Sequence, residues 1–188
     1  MKKFLLLAAI ACIGCQSANL IGSQTPETKS VESTMVEQRR LNKAFLSKYA
    51  YFLGPWGGTG GSMFYFEEID GMKLVGLGVL FDTRITGIAG YYKDSRGGTY
   101  VRNSNPQGGG FYKHIPLADN EYITAIGGTA GRYVNSLSIT TNQRCYPEFG
   151  KPSGQRFFAS VRSGYRIYSF FGRSGKYLDK IGCNVYTR

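Results

Sequence analysis

The sequence predicts an all-β domain made by closing several small sheets, and three observations lead there. The 188-residue chain holds 26 Gly, 12 Phe and 14 Tyr but only 19% charged residues, a balance that favours strands and turns over helices. Beyond Leu53, apolar runs of about four to eight residues alternate with Gly, Asn, Asp, Ser or Pro. About ten to twelve such strands need a closed or multi-sheet architecture. The chain also repeats itself. Gly128 to Ser138 can be laid on Gly172 to Gly182, and Ile85 to Gly90 resembles Ile123 to Gly128, so the expected fold has pseudo-three-fold symmetry. With 42% hydrophobic residues the chain is not a disordered one, and its single histidine, His114, excludes a multi-histidine metal centre.

The elements follow in order. Lys2 and Lys3 precede an apolar run from Phe4 to Gly14, too short for a membrane-spanning helix but suited to the core of an export signal over residues 1–15. Cys15 after Gly14, or Cys12 after Ala11, resembles the acylated cysteine of a bacterial lipoprotein signal, while Ala9-Ile10-Ala11 would also serve as an ordinary cleavage site. The expectation is an exported protein, either freely secreted or held by lipid at an outer membrane or cell surface. Residues 16–52 read as a linker. Its polar first half is a spacer, and Met35, Leu41 and Phe45 recur at roughly helical spacing between Glu32 and Tyr51. The domain is expected over residues 53–188, with strands in Gly61–Phe66, Leu74–Phe81, Tyr122–Ile126, Ser136–Thr140, Arg156–Val161 and Tyr165–Phe171. Cys145 and Cys183, in an exported chain, suggest either one disulfide or two separately buried thiols.

Four motifs then appear in one order: Gly54-Pro-Trp-Gly57-Gly58-Thr-Gly-Gly61, Ser136-Leu-Ser-Ile-Thr-Thr-Asn142, Tyr146-Pro-Glu-Phe-Gly150 and Ser169-Phe-Phe-Gly172-Arg-Ser-Gly175-Lys-Tyr-Leu-Asp179-Lys-Ile-Gly182. Together they resemble the jacalin-related lectins over about residues 53–187. The resemblance implies a β-prism of three four-stranded Greek-key sheets, and sugar binding without metal, cofactor or catalysis. It implies a sugar loop of Gly175, Lys176, Tyr177, Leu178 and Asp179, facing Gly57 and Gly58, with Gly131 and Arg132 as the neighbouring specificity loop. It also implies mannose- or glucose-type ligands, because some fifty residues precede the domain with no evident cut near Leu53.

The chemistry of that loop stands by itself. A carboxylate at Asp179 can accept hydrogen bonds from two adjacent sugar hydroxyls, and Lys176 and Tyr177 can offer backbone amides. Taken alone, Gly175 to Asp179 is also an ordinary turn. From Arg132 to Arg188 ten Lys or Arg face only Glu148 and Asp179. If the strands gather Arg156, Arg162, Arg166, Arg173, Lys176 and Lys180, an anionic polysaccharide becomes an alternative ligand for a surface adhesion protein; otherwise these make a basic, soluble surface. A Glu148–Asp179 glycosidase pair has nothing in the sequence to bring it together. The expected partners are glycans, a membrane if the chain is acylated, and further copies of the chain, but not nucleic acid.

Overall fold

A computed structural model describes residues 51–66 and 71–188, which form twelve strands. These are β1 Tyr51–Gly57, β2 Ser62–Tyr65, β3 Lys73–Phe81, β4 Ile85–Lys93, β5 Thr99–Asn103, β6 Phe111–Pro116, β7 Ile123–Ala130, β8 Val134–Thr141, β9 Phe149–Gly150, β10 Gln155–Ser160, β11 Tyr165–Ser174 and β12 Leu178–Thr187. The proposed signal, Cys12, Cys15, the linker up to residue 50 and the expected helix up to the same residue lie outside the described residues; Tyr51 and Phe52, the last two residues assigned to the linker, belong to β1.

One sheet runs β5-β4-β3-β6. The remaining strands share hydrogen bonds in one network, but a lone pair, Ile167 with Ile123, joins β11 to β7. Divided there, the network gives β10-β7-β8-β9 and β2-β11-β12-β1. Each sheet therefore has an inner antiparallel hairpin (β3–β4, β7–β8 or β11–β12) flanked by two outer strands in Greek-key order. The three form a β-prism.

Inner strands are buried over most of their length, and outer strands such as β6 and β10 are largely exposed. Leu77, Val79 and Ile88 from the first sheet meet Ile126, Leu137 and Ile139 from the second and Phe170, Ile181 and Val185 from the third, all fully buried. Each contributes roughly 1.5–3 kcal/mol relative to exposure. This shared core keeps the three inner hairpins parallel to one another in role and aligned at one end.

The three hairpin turns are alike in detail. Asp82 N donates to Arg84 O, Gly131 N to Tyr133 O and Gly175 N to Tyr177 O, each at 2.9 Å. Each turn is preceded or followed by a one-residue irregularity in the pairing. The match of Gly131 to Gly175 is thus a structural one. The third copy read from the sequence is not: Ile85–Gly90 lies in β4, a second inner strand, whereas Ile123–Gly128 lies in β7, a first one. The true counterpart of Gly131-Arg132-Tyr133 is Asp82-Thr83-Arg84.

The disulfide expectation is corrected. Both cysteines are free thiols. Cys183 pairs with Leu53 and Phe170 inside the third sheet and is fully buried, so burial pushes its thiol far above the ordinary value. Cys145 is exposed beside Thr140 of the second sheet, which also departs from the alternative of two buried thiols.

Candidate functional site

Asp179 follows the β11–β12 turn as the second residue of β12, and its side chain reaches the loop between β1 and β2. That loop can approach because Gly58, Gly60 and Gly61 carry no side chains. A Cβ on Gly60 would collide with Asp179 Oδ1, and one on Gly61 would lie 2.6 Å from Oδ2. Gly57 takes φ +120°, a conformation suited to glycine, and pairs with Lys180. Gly58 N donates to Asp179 O at 2.8 Å, and a Cβ on Gly58 would strike the Arg132 carbonyl. The structure therefore brings Gly57, Gly58, Asp179, Gly175 and Arg132 to one crevice.

Arg173, at the end of β11, fixes the same loop from the other side. Its Nε donates to Gly60 O at 2.8 Å and its Nη2 to Gly61 O at 2.7 Å. Asn105 Nδ2 holds the turn by donating to Gly175 O at 2.8 Å and to Thr86 O at 3.0 Å. Asp179 is 4% exposed. Burial raises its carboxyl above the ordinary aspartate value, and this outweighs the Gly175 amide and the nearby Arg132 and Arg173 charges, which pull it down.

The equivalent positions in the other two sheets have been closed. Asn135 Nδ2 donates to Ser153 O at 2.7 Å, and Thr86 Oγ1 donates to Gly109 O at 2.7 Å. Of the three equivalents only Asp179 keeps a carboxylate facing its glycine-rich loop. Two adjacent hydroxyl donors with a ring small enough to sit against glycine backbone are what such a group accepts.

Other expected site residues divide. Gly131 is exposed with open space around it. Lys176 is exposed at the turn, whereas the Leu178 side chain is fully buried in the core and leaves only its backbone for a ligand. Tyr177 packs edge-on against Tyr133, 5.1 Å between centroids, rather than over the glycine-rich loop. The expected cluster of six cations is not one patch. Arg162 and Arg166 lie at the far end of the prism, where β10 gives way to β11, while Arg173, Lys176 and Lys180 flank the crevice. Arg156 in β10 lies 3.9 Å from Glu148. Sequence reasoning did not single out Gly60, Gly61 or Asn105, and it read Arg173 only as one of six basic residues, not as a residue that holds the glycine-rich loop. The two glycines and Arg173 lay within quoted motifs; nothing local marked Asn105. Among the described residues no group of three or more His, Cys, Asp or Glu is placed to hold a metal ion.

Residues 53–184 match the family model described as "Jacalin-like lectin domain". The chain belongs to this family. It is 33% identical over 144 residues to the "Mannose/glucose-specific lectin" of Parkia pendula, covering 71% of this chain and 31% of that one, so it spans about a third of that relative's length. It is 33% identical to "Horcolin" of Hordeum vulgare, across 69% of this chain and 92% of Horcolin. Among solved structures, wild-type Malaysian banana lectin superposes with a TM-score of 0.66 at 28% identity, covering 74% of this chain and 99% of the other. A mannose-binding jacalin-related lectin from Ananas comosus gives 0.64 at 29%, covering 73% and 98%. The jacalin-like domain thus occupies the described β-prism nearly end to end.

Proposed function

We propose that this protein binds mannose- or glucose-type glycans in the crevice between Gly57–Gly61 and Gly175–Asp179, by hydrogen bonding and without catalysis. The observation that carries the reading is Asp179: a nearly buried carboxylate, held against the glycines Gly60 and Gly61, at the one equivalent position of three where the side chain has not been engaged by its neighbouring loop. The Parkia relative's printed specificity and the mannose-binding description of the Ananas structure support the same sugar class.

In this reading Asp179 accepts from two sugar hydroxyls, the turn offers backbone amides, and Arg173 keeps the glycine-rich loop in place. A few such bonds to a solvated sugar leave a Kd near the millimolar range, about −4 kcal/mol, so adhesion would draw on several copies at one surface. Export through residues 1–15, with a lipid on Cys15 or Cys12, would supply that display, and a mass measurement on the exported chain tests it. A glycan array run with the chain and with Asp179→Ala tests the sugar site. Mannose- or glucose-type signals lost in the variant are expected; equal signals from both proteins would place the site elsewhere.

A further inference from the structure

We infer that an anion subsite adjoins the sugar crevice, made by Arg84, Arg132 and Lys176, and that the glycan taken by this protein carries an acidic group, a sulfate or a uronate carboxylate. The inference rests on the sugar-binding reading of Asp179 and names the ligand class more closely.

The three cations come from the three equivalent turns, one from each sheet. The third residues of those turns, Arg84, Tyr133 and Tyr177, meet at the centre of this end of the prism. The Arg84 guanidinium carbon lies 5.3 Å from the centroids of both tyrosine rings. Arg132 lies 5.5 Å from the Tyr133 centroid and Lys176 Nζ 5.6 Å from that of Tyr177. The result is one contiguous row, Arg132–Tyr133–Arg84–Tyr177–Lys176, that crosses the pseudo-axis and ends at the sugar loop.

The rings hold the cations but accept none of their N–H groups in conventional hydrogen bonds. Among the described residues, the charged groups of these three side chains make neither a hydrogen bond to an acceptor nor an ion pair. Some cations elsewhere do: Arg144 binds Glu121, Arg173 binds the glycine-rich loop, and Arg188 donates to Tyr122. The nearby carboxylates offset the row only in part: Arg132 and Asp179 attract one another without forming an ion pair. Asp82 Oδ1 accepts from the Arg84 backbone amide and caps its own turn, and Asp179 lies within the crevice. Grouping three like charges around two rings is unfavourable in itself. A neutral sugar requires none of them, whereas a sulfate or carboxylate offers planar or tripod acceptors that suit guanidinium edges. Beside Lys176 and Tyr177 a cavity of about 500 Å³, lined also by Asp82, Asn105 and Gln107, has room for the next sugar residue of a chain.

The test is a titration of the full chain with a panel of oligomannosides, each unsulfated or carrying one sulfate at one of its free positions. At low salt at least one sulfated form is expected to bind about five- to tenfold tighter than its neutral parent, with the gain lost at high salt. Arg84→Gln, which lies outside the sugar crevice, should erase the gain and leave neutral binding unchanged, and Arg84→Lys should restore part of it. A gain that survives Arg84→Gln in a variant that melts like the parent overturns the inference, as does the absence of any gain while neutral sugars bind in an Asp179-dependent way. If a folded chain binds no oligomannoside of either kind, the sugar-binding reading itself is what fails.

Discussion

Among the described residues two carboxylates are buried in this prism, one at each end, and the protein treats them in opposite ways. Glu121, just before β7 at the end away from the sugar crevice, is 2% exposed and has every acceptor position answered. Arg144 donates through Nε to Oε1 at 2.8 Å and through Nη2 to Oε2 at 2.6 Å, Thr141 Oγ1 donates to Oε1 at 2.8 Å, and the Ala118 amide reaches Oε2 at 3.2 Å. With Arg144 as the leading cause, its pKa falls to about 2. Asp179 is buried almost as deeply, yet burial leads there and its pKa rises. Burial is similar in both places; what differs is the partners, a guanidinium and a hydroxyl on Glu121 but only backbone amides such as that of Gly175 on Asp179. A carboxylate with charged and hydroxyl partners contributes to stability, and one without them is kept available at a cost to it.

That contrast can be broken in four places, from the largest effect to the smallest. Arg144→Ala leaves Glu121 buried without its partner. It should lower stability by roughly 2–3 kcal/mol, a value reduced because the guanidinium is half exposed. Calorimetry would read this as a melting midpoint lower by several degrees, with sugar affinity at room temperature unchanged. Gly60→Ala acts at the other end. Its methyl meets Asp179 Oδ1, and sugar affinity should fall by about tenfold or more, while stability changes by less than about 1 kcal/mol. A variant that bound normally would show that the glycine-rich loop does not need to touch the carboxylate.

Asp179→Asn sharpens the comparison further. It removes a buried charge without removing volume, so the midpoint at neutral pH should stay level or rise slightly as sugar binding is lost. A clear drop would make Asp179 a structural partner like Glu121. The pH dependences should differ in sign as well. Because the folded-state pKa of Asp179 is raised, the folded chain binds more protons across its window, and this carboxyl's cost to stability shrinks as pH falls. Glu121 is depressed, so its contribution is complete above the ordinary glutamate value and lost as pH falls towards about 2. Mild acid should therefore weaken sugar binding before it loosens the fold, a separation that binding and melting curves at matched pH would reveal.

The sequence made the strands legible because turn residues punctuate them, and it made two of the three sheets comparable because Gly131-Arg-Tyr and Gly175-Lys-Tyr share letters as well as geometry. The first sheet builds the same turn from Asp82-Thr83-Arg84, where the Asp82 side chain also accepts from the Arg84 amide, so no letter pattern betrayed it. The meeting of Asp179 with Gly57–Gly61 joins opposite ends of the chain, and only the family resemblance pointed to it. Asn105 and the loop-holding role of Arg173 were hidden for a different reason. Each acts on backbone carbonyls of a distant loop, and a carbonyl leaves no mark in a sequence. The cysteines misled because their redox setting suggested a bond, whereas their sheets place one on the surface and the other in the core.

The third sheet joins the first two strands of the domain to the last two. The glycine-rich loop emerges early in synthesis but has no carboxylate to face until Leu178–Thr187 has left the ribosome, and β1 has no partner before then. The other two sheets can close on their own segments while the chain is still growing. The proposed sugar site is thus complete only once the domain's final strand is in place, and a nascent chain missing that strand carries two formed sheets but no carboxylate facing the glycine-rich loop.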